Sequence, residues 1–156
     1  QLLREFSNGK AVYSDTMADF RSHDGADFAG KAGDKVVAVS SGKVTAVKED
    51  ALWGKTITID HDHGIVSTYC GVTATVKEGD TVKAGDTIGA VSDIPCELLS
   101  GPHLHLEIAV NGETVNPVEA IGLEVAPATT LASATTTTAT TSATTQTSGS
   151  ITKKSA

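Results

Sequence analysis

Short runs of β-branched residues, separated by turns that contain glycine, dominate the first 125 residues of this sequence. The runs are KVVAVSSGKVTAVKE, KTITIDH, IVSTYCGV, TIGAVS and LHLEIAV. Asn111–Gly112, between two such runs, is a strong β-hairpin signal. Because helical patterns are scarce, the sequence predicts an all-β fold built from an antiparallel sheet, sandwich or barrel.

A repeated turn motif lies in VKEGDTVKAGDTIGAV, where two Lys-x-Gly-Asp turns are separated by β-branched residues. This segment resembles the hairpins of lipoyl and biotinyl carrier domains and of other barrel-sandwich hybrids. A carrier domain would present a modifiable lysine in a Met-Lys-Met or Asp-Lys-Ala context, and neither occurs here. We therefore interpret the repeat as architecture.

The composition changes near residue 126, beyond which the sequence is nearly all Thr, Ala and Ser. Such a segment has no apolar periodicity and cannot bury enough surface to offset the cost of ordering its backbone. We predict a disordered tail or linker over residues 126–156. Thr- and Ser-rich tracts of this kind are typical of extracytoplasmic spacers.

Charge and hydropathy exclude two classes of function. The net charge of −7 leaves no basic stripe to neutralise phosphates, so nucleic-acid binding is not expected. No run of eighteen apolar residues is present, so no membrane-spanning helix is expected in this sequence. Because the chain opens at Gln1 rather than methionine, we expect a missing N-terminus that could carry a signal peptide or membrane anchor.

Two groups of histidines suggest a metal site. His103 and His105 are two residues apart in a predicted strand, so both imidazoles should face the same side while the intervening leucines face the other. HDGAD supplies His23 and Asp27. Zinc sites often use three imidazole and carboxylate ligands when one position is left open for water. Such a set could be formed by His23, Asp27 and either His103 or His105.

The remaining histidines, His61 and His63, occupy the segment IDHDHG, which ends a β-branched run and precedes a glycine. We expect them to be solvent-facing residues of a hairpin turn rather than ligands.

Five ordered motifs resemble the lysostaphin/LytM-type zinc metallopeptidases, which cut peptide cross-links in bacterial peptidoglycan. They are HDGADF, VVAVSSGKVTAV, WGKTITIDHDHGIVSTY, VKEGDTVKAGDTIGAV and GPHLHLEIAVNGETVNP. The resemblance implies an antiparallel domain with a central groove over residues 19–125, preceded by an N-terminal extension over residues 1–18. It also implies that His23, Asp27 and His105 bind zinc and that His103 is a catalytic histidine beside the metal.

One position departs from the family pattern. The family has a second catalytic histidine in a Y-A-H-L motif, and the matching stretch here is YCGV, so Gly71 stands at that position. Loss of one such group typically costs about 10²–10³-fold in rate. Strand alternation predicts that the neighbouring Cys70 faces away from the groove. If the groove is otherwise intact, Gly71→His should raise hydrolysis.

The sequence keeps the expected metal ligands but lacks this histidine. This combination, together with the segment CELLSGPHLHLE, resembles the sporulation stage II protein Q group. In that group a membrane-anchored protein projects its LytM-type domain into the intermembrane space and binds the ectodomain of another membrane protein. The resemblance implies a partner-binding role, an extracytoplasmic location and an anchor in a missing N-terminal segment.

The two cysteines leave two alternatives open, either buried free thiols or a single disulfide bond. In the LytM-type arrangement both would border the groove, which makes a Cys70–Cys96 disulfide a hypothesis.

Two functions therefore remain to be compared. The first is a zinc-binding domain with weak or no hydrolysis that binds a protein partner or a peptidoglycan peptide. The alternative is an active zinc endopeptidase that cuts peptidoglycan cross-links.

Overall fold

A computed structural model of the protein describes residues 1–122, so the tail predicted over residues 126–156 lies outside the described residues. Among the described residues, no helix has the length and apolar character needed to cross a membrane. In chain order the strands are β1 (Leu2–Arg4), β2 (Val12–Ser14), β3 (Asp19–Arg21), β4 (Ala26–Ala29), β5 (Lys35–Val37), β6 (Gly42–Asp50), β7 (Gly54–Asp60), β8 (Ile65–Cys70), β9 (Val72–Ala74), β10 (Thr81–Val82), β11 (Thr87–Val91), β12 (His103–Val110) and β13 (Glu113–Val115). A 3₁₀ helix (Pro95–Ser100) and a one-turn helix α1 (Pro117–Ala120) complete the description.

Most of the strands form one large antiparallel sheet, in the order β1-β4-β12-β8-β7-β6-β10, with β13 paired to β12. A second sheet has the order β5-β11-β9, and β2 and β3 form a separate hairpin. Every strand pairing among the described residues is antiparallel, so the predicted all-β antiparallel fold is confirmed.

The core follows the alternation of the strands. Ile57 and Ile59 of β7 are fully buried, and Tyr69 of β8 lies beside them with its hydroxyl oxygen accepting a hydrogen bond from the Val39 N–H at 2.9 Å. Leu106 of β12 joins the same cluster. The predicted division of β12 into a leucine face and a histidine face is therefore confirmed.

The Lys-x-Gly-Asp motif forms the same turn three times, at residues 31–34, 77–80 and 83–86. In each turn the aspartate side chain accepts a hydrogen bond from the backbone N–H of the lysine, at 2.8–3.0 Å. Each glycine has a positive φ, which a residue without a Cβ adopts at little cost. These lysines are turn residues, consistent with the architectural interpretation.

The segment predicted as an N-terminal extension contributes to the large sheet, because β1 pairs with β4 and sets Arg4 opposite Asp27. The backbone N–H of Ser7 donates to the carbonyl of His23 at 2.9 Å, and the Ser7 hydroxyl accepts from the His23 N–H at 2.9 Å. Residues 1–18 thus pack against one of the expected zinc ligands.

The core packing generates a stability prediction. Ile57→Ala should lower the free energy of unfolding by about 2–5 kcal/mol, because it leaves a cavity at a fully buried position. Ile65→Ala is the matched control, since that side chain is 38% exposed, and it should cost well under half as much. Urea unfolding followed by circular dichroism measures both; equal losses would contradict the assigned core.

Candidate metal centre

Pairing between β12 and β4 brings the expected zinc ligands together. His105 lies directly opposite Asp27, and its Nδ1 is 2.8 Å from Asp27 Oδ1. His23 Nε2 approaches the same oxygen at 3.0 Å. A Cβ at Gly25 would lie 2.5 Å from His105 Nε2, so the close approach of HDGAD to β12 requires a glycine there. All three donor groups are at most 3% exposed.

Each imidazole has a partner on the nitrogen that points away from this cluster. His23 Nδ1–H donates to the backbone carbonyl of Glu5 at 2.8 Å, which directs Nε2 toward Asp27. His105 Nε2 lies 3.4 Å from a carboxylate oxygen of Glu107, which leaves Nδ1 facing the cluster. Metal-binding histidines commonly have such outer partners, which fix the tautomer and orientation of the ring. The donor set and its surroundings therefore fit zinc.

Without a metal, the electrostatics of the cluster favour a charged Asp27 carboxylate beside a protonated His105. Burial alone raises the pKa of Asp27, but hydrogen bonds from His105 and His23 outweigh it and hold the pKa well below its usual range. Burial lowers the pKa of His105, but its hydrogen bonds to Asp27 and Glu107 prevail and raise the pKa to about 9. A zinc ion binding here would therefore have to displace a proton from His105.

His103 lies beside the three expected ligands and is fully buried. Its Nδ1–H donates to the carbonyl of Gly101 at 2.7 Å, and its Nε2 is 3.0 Å from a carboxylate oxygen of Glu97. Burial lowers the pKa of His103, but the bond to Glu97 and the bond to the Gly101 carbonyl raise it overall. Both ring nitrogens are thus engaged by other groups of the chain.

Sequence analysis missed Glu97, which is 6% exposed and extends from the 3₁₀ helix into the cluster. Its carboxylate forms an ion pair with Arg4 at 3.2 Å, and Arg4 also lies 3.8 Å from the Asp27 carboxylate. The one signal in the sequence is a glutamate beside a cysteine in a loop that leads directly into HLH. That signal does not distinguish a buried carboxylate from a solvated one.

A cavity of about 210 Å³ adjoins the cluster on the side of the β2–β3 hairpin. Trp53 forms part of its wall and also stacks on the His105 ring, with the ring centroids 4.3 Å apart. His23 and Glu97 border the same space. A small ligand in this cavity would therefore contact the cluster directly.

Gly71, the residue that the resemblance aligns with a second catalytic histidine, has no room for a side chain. Its φ is +68°, and a Cβ added there would collide with Ile94 Cγ1 and lie 3.0 Å from Ile94 Cδ1. The backbone is fixed on both sides, because the Gly71 N–H donates to Trp53 and its carbonyl accepts from Ser92. A histidine at this position would have to displace Ile94, so the expectation that Gly71→His raises hydrolysis loses its condition of free space.

The expectation that Cys70 faces away from the groove is wrong. Cys70 lies directly opposite His105 in the β8–β12 pairing, and residues opposite each other project from the same face of a sheet. The alternation used for that expectation stops at Gly71, whose positive φ ends β8.

Cys70 and Cys96 are both buried free thiols in one small apolar cluster with Ile94. Burial raises the pKa of both thiols, that of Cys96 to about 11, with the Glu97 carboxylate as a further cause. The structure thus has the two cysteines unbridged, and the hypothesis of a Cys70–Cys96 disulfide stays an untested prediction.

The two histidines of IDHDHG have different environments. His63 is exposed, as expected of a turn residue. His61 is half-buried, with Nδ1–H donating to the Ser41 carbonyl at 2.9 Å and Nε2 accepting from the Ser67 hydroxyl at 2.7 Å. His61 therefore ties β7 to the start of β6, a structural role that the turn interpretation missed. Neither residue belongs to the cluster among residues 1–122 that could hold a metal ion.

The pKa of His105 predicts how zinc affinity depends on pH. Because the proton on His105 competes with zinc below about pH 9, the apparent affinity should rise about tenfold per pH unit between pH 6 and pH 8. Chelator competition across this range measures the slope. Calorimetry in buffers of different ionisation enthalpy should show proton release on binding; an affinity independent of pH would contradict the assignment.

The packing at Gly71 predicts that side chains there destabilise the protein. Gly71→His and Gly71→Ala should each lower the free energy of unfolding by at least about 2 kcal/mol, through backbone strain and overpacking against Ile94. Gly79→Ala is the matched control, since Gly79 also has a positive φ but nothing near its Cβ position. Urea unfolding of the zinc-loaded proteins tests this; a fully stable Gly71→His variant would contradict it.

Comparison with known proteins places this cluster in a family context. The model of Peptidase family M23 matches residues 21–117, which include all three expected ligands. DD-carboxypeptidase/endopeptidase Mpg of Neisseria meningitidis serogroup B is 33% identical over 99 residues, which are 64% of this chain and 23% of that protein. The chain thus spans less than a quarter of the length of this relative.

Two further similarities concern sporulation and zinc. Stage II sporulation protein Q of Bacillus subtilis is 30% identical over 101 residues, 64% of this chain and 34% of that protein. The crystal structure of a zinc-containing peptidase from Vibrio cholerae matches with a TM-score of 0.66 and 28% identity, over 74% of this chain and 35% of that one. Because the family model covers well over half of the sequence and includes the buried His–Asp–His cluster, this chain belongs to Peptidase family M23.

Proposed function

We propose that this chain is a zinc-binding M23 domain with weak or no peptide-bond hydrolysis, which acts as a partner-binding module of the cell envelope, as in sporulation. The observation that carries the proposal is the packing at Gly71. The family resemblance assigns a second catalytic histidine to the position of Gly71. Ile94 fills the space that a side chain at Gly71 would need, so no imidazole lies there.

His23, Asp27 and His105 would hold the zinc. The chemistry that zinc supplies in such sites is polarisation of a carbonyl oxygen and activation of water. Two imidazoles and one carboxylate are a common ligand set for zinc in such sites. The outer partners that orient the two imidazoles, the Glu5 carbonyl and the Glu107 carboxylate, are in place. Retention of the donor set therefore supports zinc binding independently of catalysis.

The chain's own proton-transfer groups are impaired. A general acid or base must reach the reacting group with a free nitrogen or oxygen. His103, the remaining catalytic candidate, has Nδ1 bonded to the Gly101 carbonyl and Nε2 facing Glu97. The second imidazole is absent as well. Loss of one donor to the transition state typically lowers the rate of hydrolysis by about 10²–10³-fold, and we expect at least this reduction here.

Exposed apolar side chains beside the site support a binding role. Phe20 is 72% exposed and packs edge-on against Tyr13, which is 50% exposed. Leu99 of the 3₁₀ helix is 72% exposed, and its backbone N–H donates to the hydroxyl of Thr16 in the β2–β3 turn. Clustered apolar surface of this kind marks interaction sites in soluble domains. We propose that this surface binds either a protein on the opposite side of the cell envelope or a peptidoglycan peptide.

The location follows from the same proposal. A domain that binds peptidoglycan or an envelope protein acts outside the cytoplasm. We propose an extracytoplasmic position, with attachment to the membrane through a segment N-terminal to Gln1.

A second candidate function is that of an active zinc endopeptidase cutting peptidoglycan peptide cross-links. The observation that favours it is the intact cluster of two imidazoles and one carboxylate, buried and supported by Glu5 and Glu107. His103 would then be the catalytic imidazole, and its contact with Glu97 would have to break when substrate binds.

A hydrolysis assay on the zinc-loaded full chain separates the two functions. We expect about one zinc per chain, and His23→Ala and Asp27→Ala should each lose it because each removes one of the three expected ligands. Each cross-link that is cut forms one new amino group, and the number of new amino groups in purified peptidoglycan should exceed that formed by His23→Ala by little or nothing. His63→Ala is the matched control and should retain its zinc, since His63 is exposed. Hydrolysis by the wild type well above the His23→Ala level would establish the endopeptidase instead.

A further inference from the structure

Glu97 reaches the same point in space as the three expected zinc ligands, although it lies on a different element. Together with His23, Asp27 and His105 it forms a buried group whose ligand atoms all lie within 4.8 Å of one another. We infer that Glu97 is a fourth protein ligand of the metal ion and closes its coordination sphere. The inference rests on the proposed function, since it requires that the domain binds zinc.

The spacing of the donor atoms suits a four-coordinate ion. Glu97 Oε1 lies 3.7 Å from His23 Nε2, and Glu97 Oε2 lies 3.7 Å from His105 Nδ1. Donor atoms around a tetrahedral zinc, with bonds of about 2.0–2.2 Å, are separated by about 3.4 Å. Small side-chain adjustments would therefore bring the Glu97 carboxylate to the distance that a fourth ligand needs.

The contacts that Glu97 already makes leave it able to bind a metal. A carboxylate offers about four lone-pair directions. The Arg4 guanidinium uses one at Oε1, and His103 Nε2 uses one at Oε2. Within the cluster, the carboxylates of Asp27 and Glu97 are both buried, and Arg4 is the guanidinium that contacts both. These two carboxylates carry one more charge than the Arg4 guanidinium balances, which favours a cation between them.

The loop that carries Glu97 is held firmly, as a ligand position requires. The N–H of Cys96 donates to the Leu52 carbonyl at 2.9 Å, and the N–H of Glu97 donates to the Ile94 carbonyl at 3.0 Å. The side chain of Cys96 is buried in a cluster with Ile94 and Cys70. Glu97 thus projects from a turn that is fixed on both its backbone and its apolar side.

A closed coordination sphere has a functional consequence. Structural zinc sites use four protein ligands, whereas catalytic sites keep one position open for water or substrate. With Glu97 as the fourth ligand, the metal would stabilise the junction between β4, β12 and the 3₁₀ helix. Peptide substrates would then have no position on the ion.

The test asks whether the metal ion of the full chain has an open position. Cobalt(II) replaces zinc, and its visible absorption spectrum is followed while azide is added. We expect no change in the wild type, because four protein ligands exclude the anion. Glu97→Ala should bind azide and shift the spectrum, and it should bind zinc at least about tenfold more weakly in chelator competition.

Two comparisons keep the test decisive. Glu97→Gln retains the size of the side chain, so it should repeat the Glu97→Ala result even if the alanine variant unfolds. Glu49→Gln, which removes an exposed carboxylate from β6, should behave as the wild type. An azide shift in the wild type equal to that of Glu97→Gln would overturn the fourth ligand while leaving zinc binding intact. By contrast, formation of new amino groups in peptidoglycan by a wild type that excludes azide would overturn the proposed lack of hydrolysis alone.

Discussion

The antiparallel pairing of β12 with β4 is the interaction on which the rest of this structure depends. It sets His105 directly opposite Asp27 and turns Leu106 into the core on the other face. Because side chains alternate along a strand, a shift by one residue would exchange these faces, burying imidazoles among aliphatic side chains. Core packing and the donor cluster therefore fix the same register, and neither is satisfied without the other.

The N-terminal segment and the 3₁₀ helix build the outer part of the site upon this pairing. The carbonyl of Glu5 orients His23, and Arg4 contacts both buried carboxylates. The 3₁₀ helix brings Glu97 against His103. A site assembled in this way is well suited to retain a metal ion. The same contacts engage both ring nitrogens of His103.

The packing at Gly71 connects this position to the loop that carries Glu97. Ile94 fills the space beside Gly71, and the same isoleucine packs against Cys70 and Cys96 under the loop that carries Glu97. The absence of an imidazole and the presence of Glu97 in the cluster are thus parts of one packing arrangement. A histidine introduced at Gly71 would disturb the loop rather than complete a catalytic pair.

The sequence by itself determined the all-β class, the two faces of β12 and a candidate metal set of His23, Asp27 and one of the pair His103 and His105; the family resemblance selected His105 from that pair. These features are local, because strand alternation and short spacings such as HDGAD and HLH fix which side chains share a face. Tertiary structure alone decided the positions of Arg4 and Glu97, which lie 93 residues apart and meet through the β1–β4 pairing and the 3₁₀ helix. It also decided the side on which Cys70 lies and the role of His61. No local periodicity encodes these contacts, since each depends on how distant elements pack and on one positive φ at Gly71.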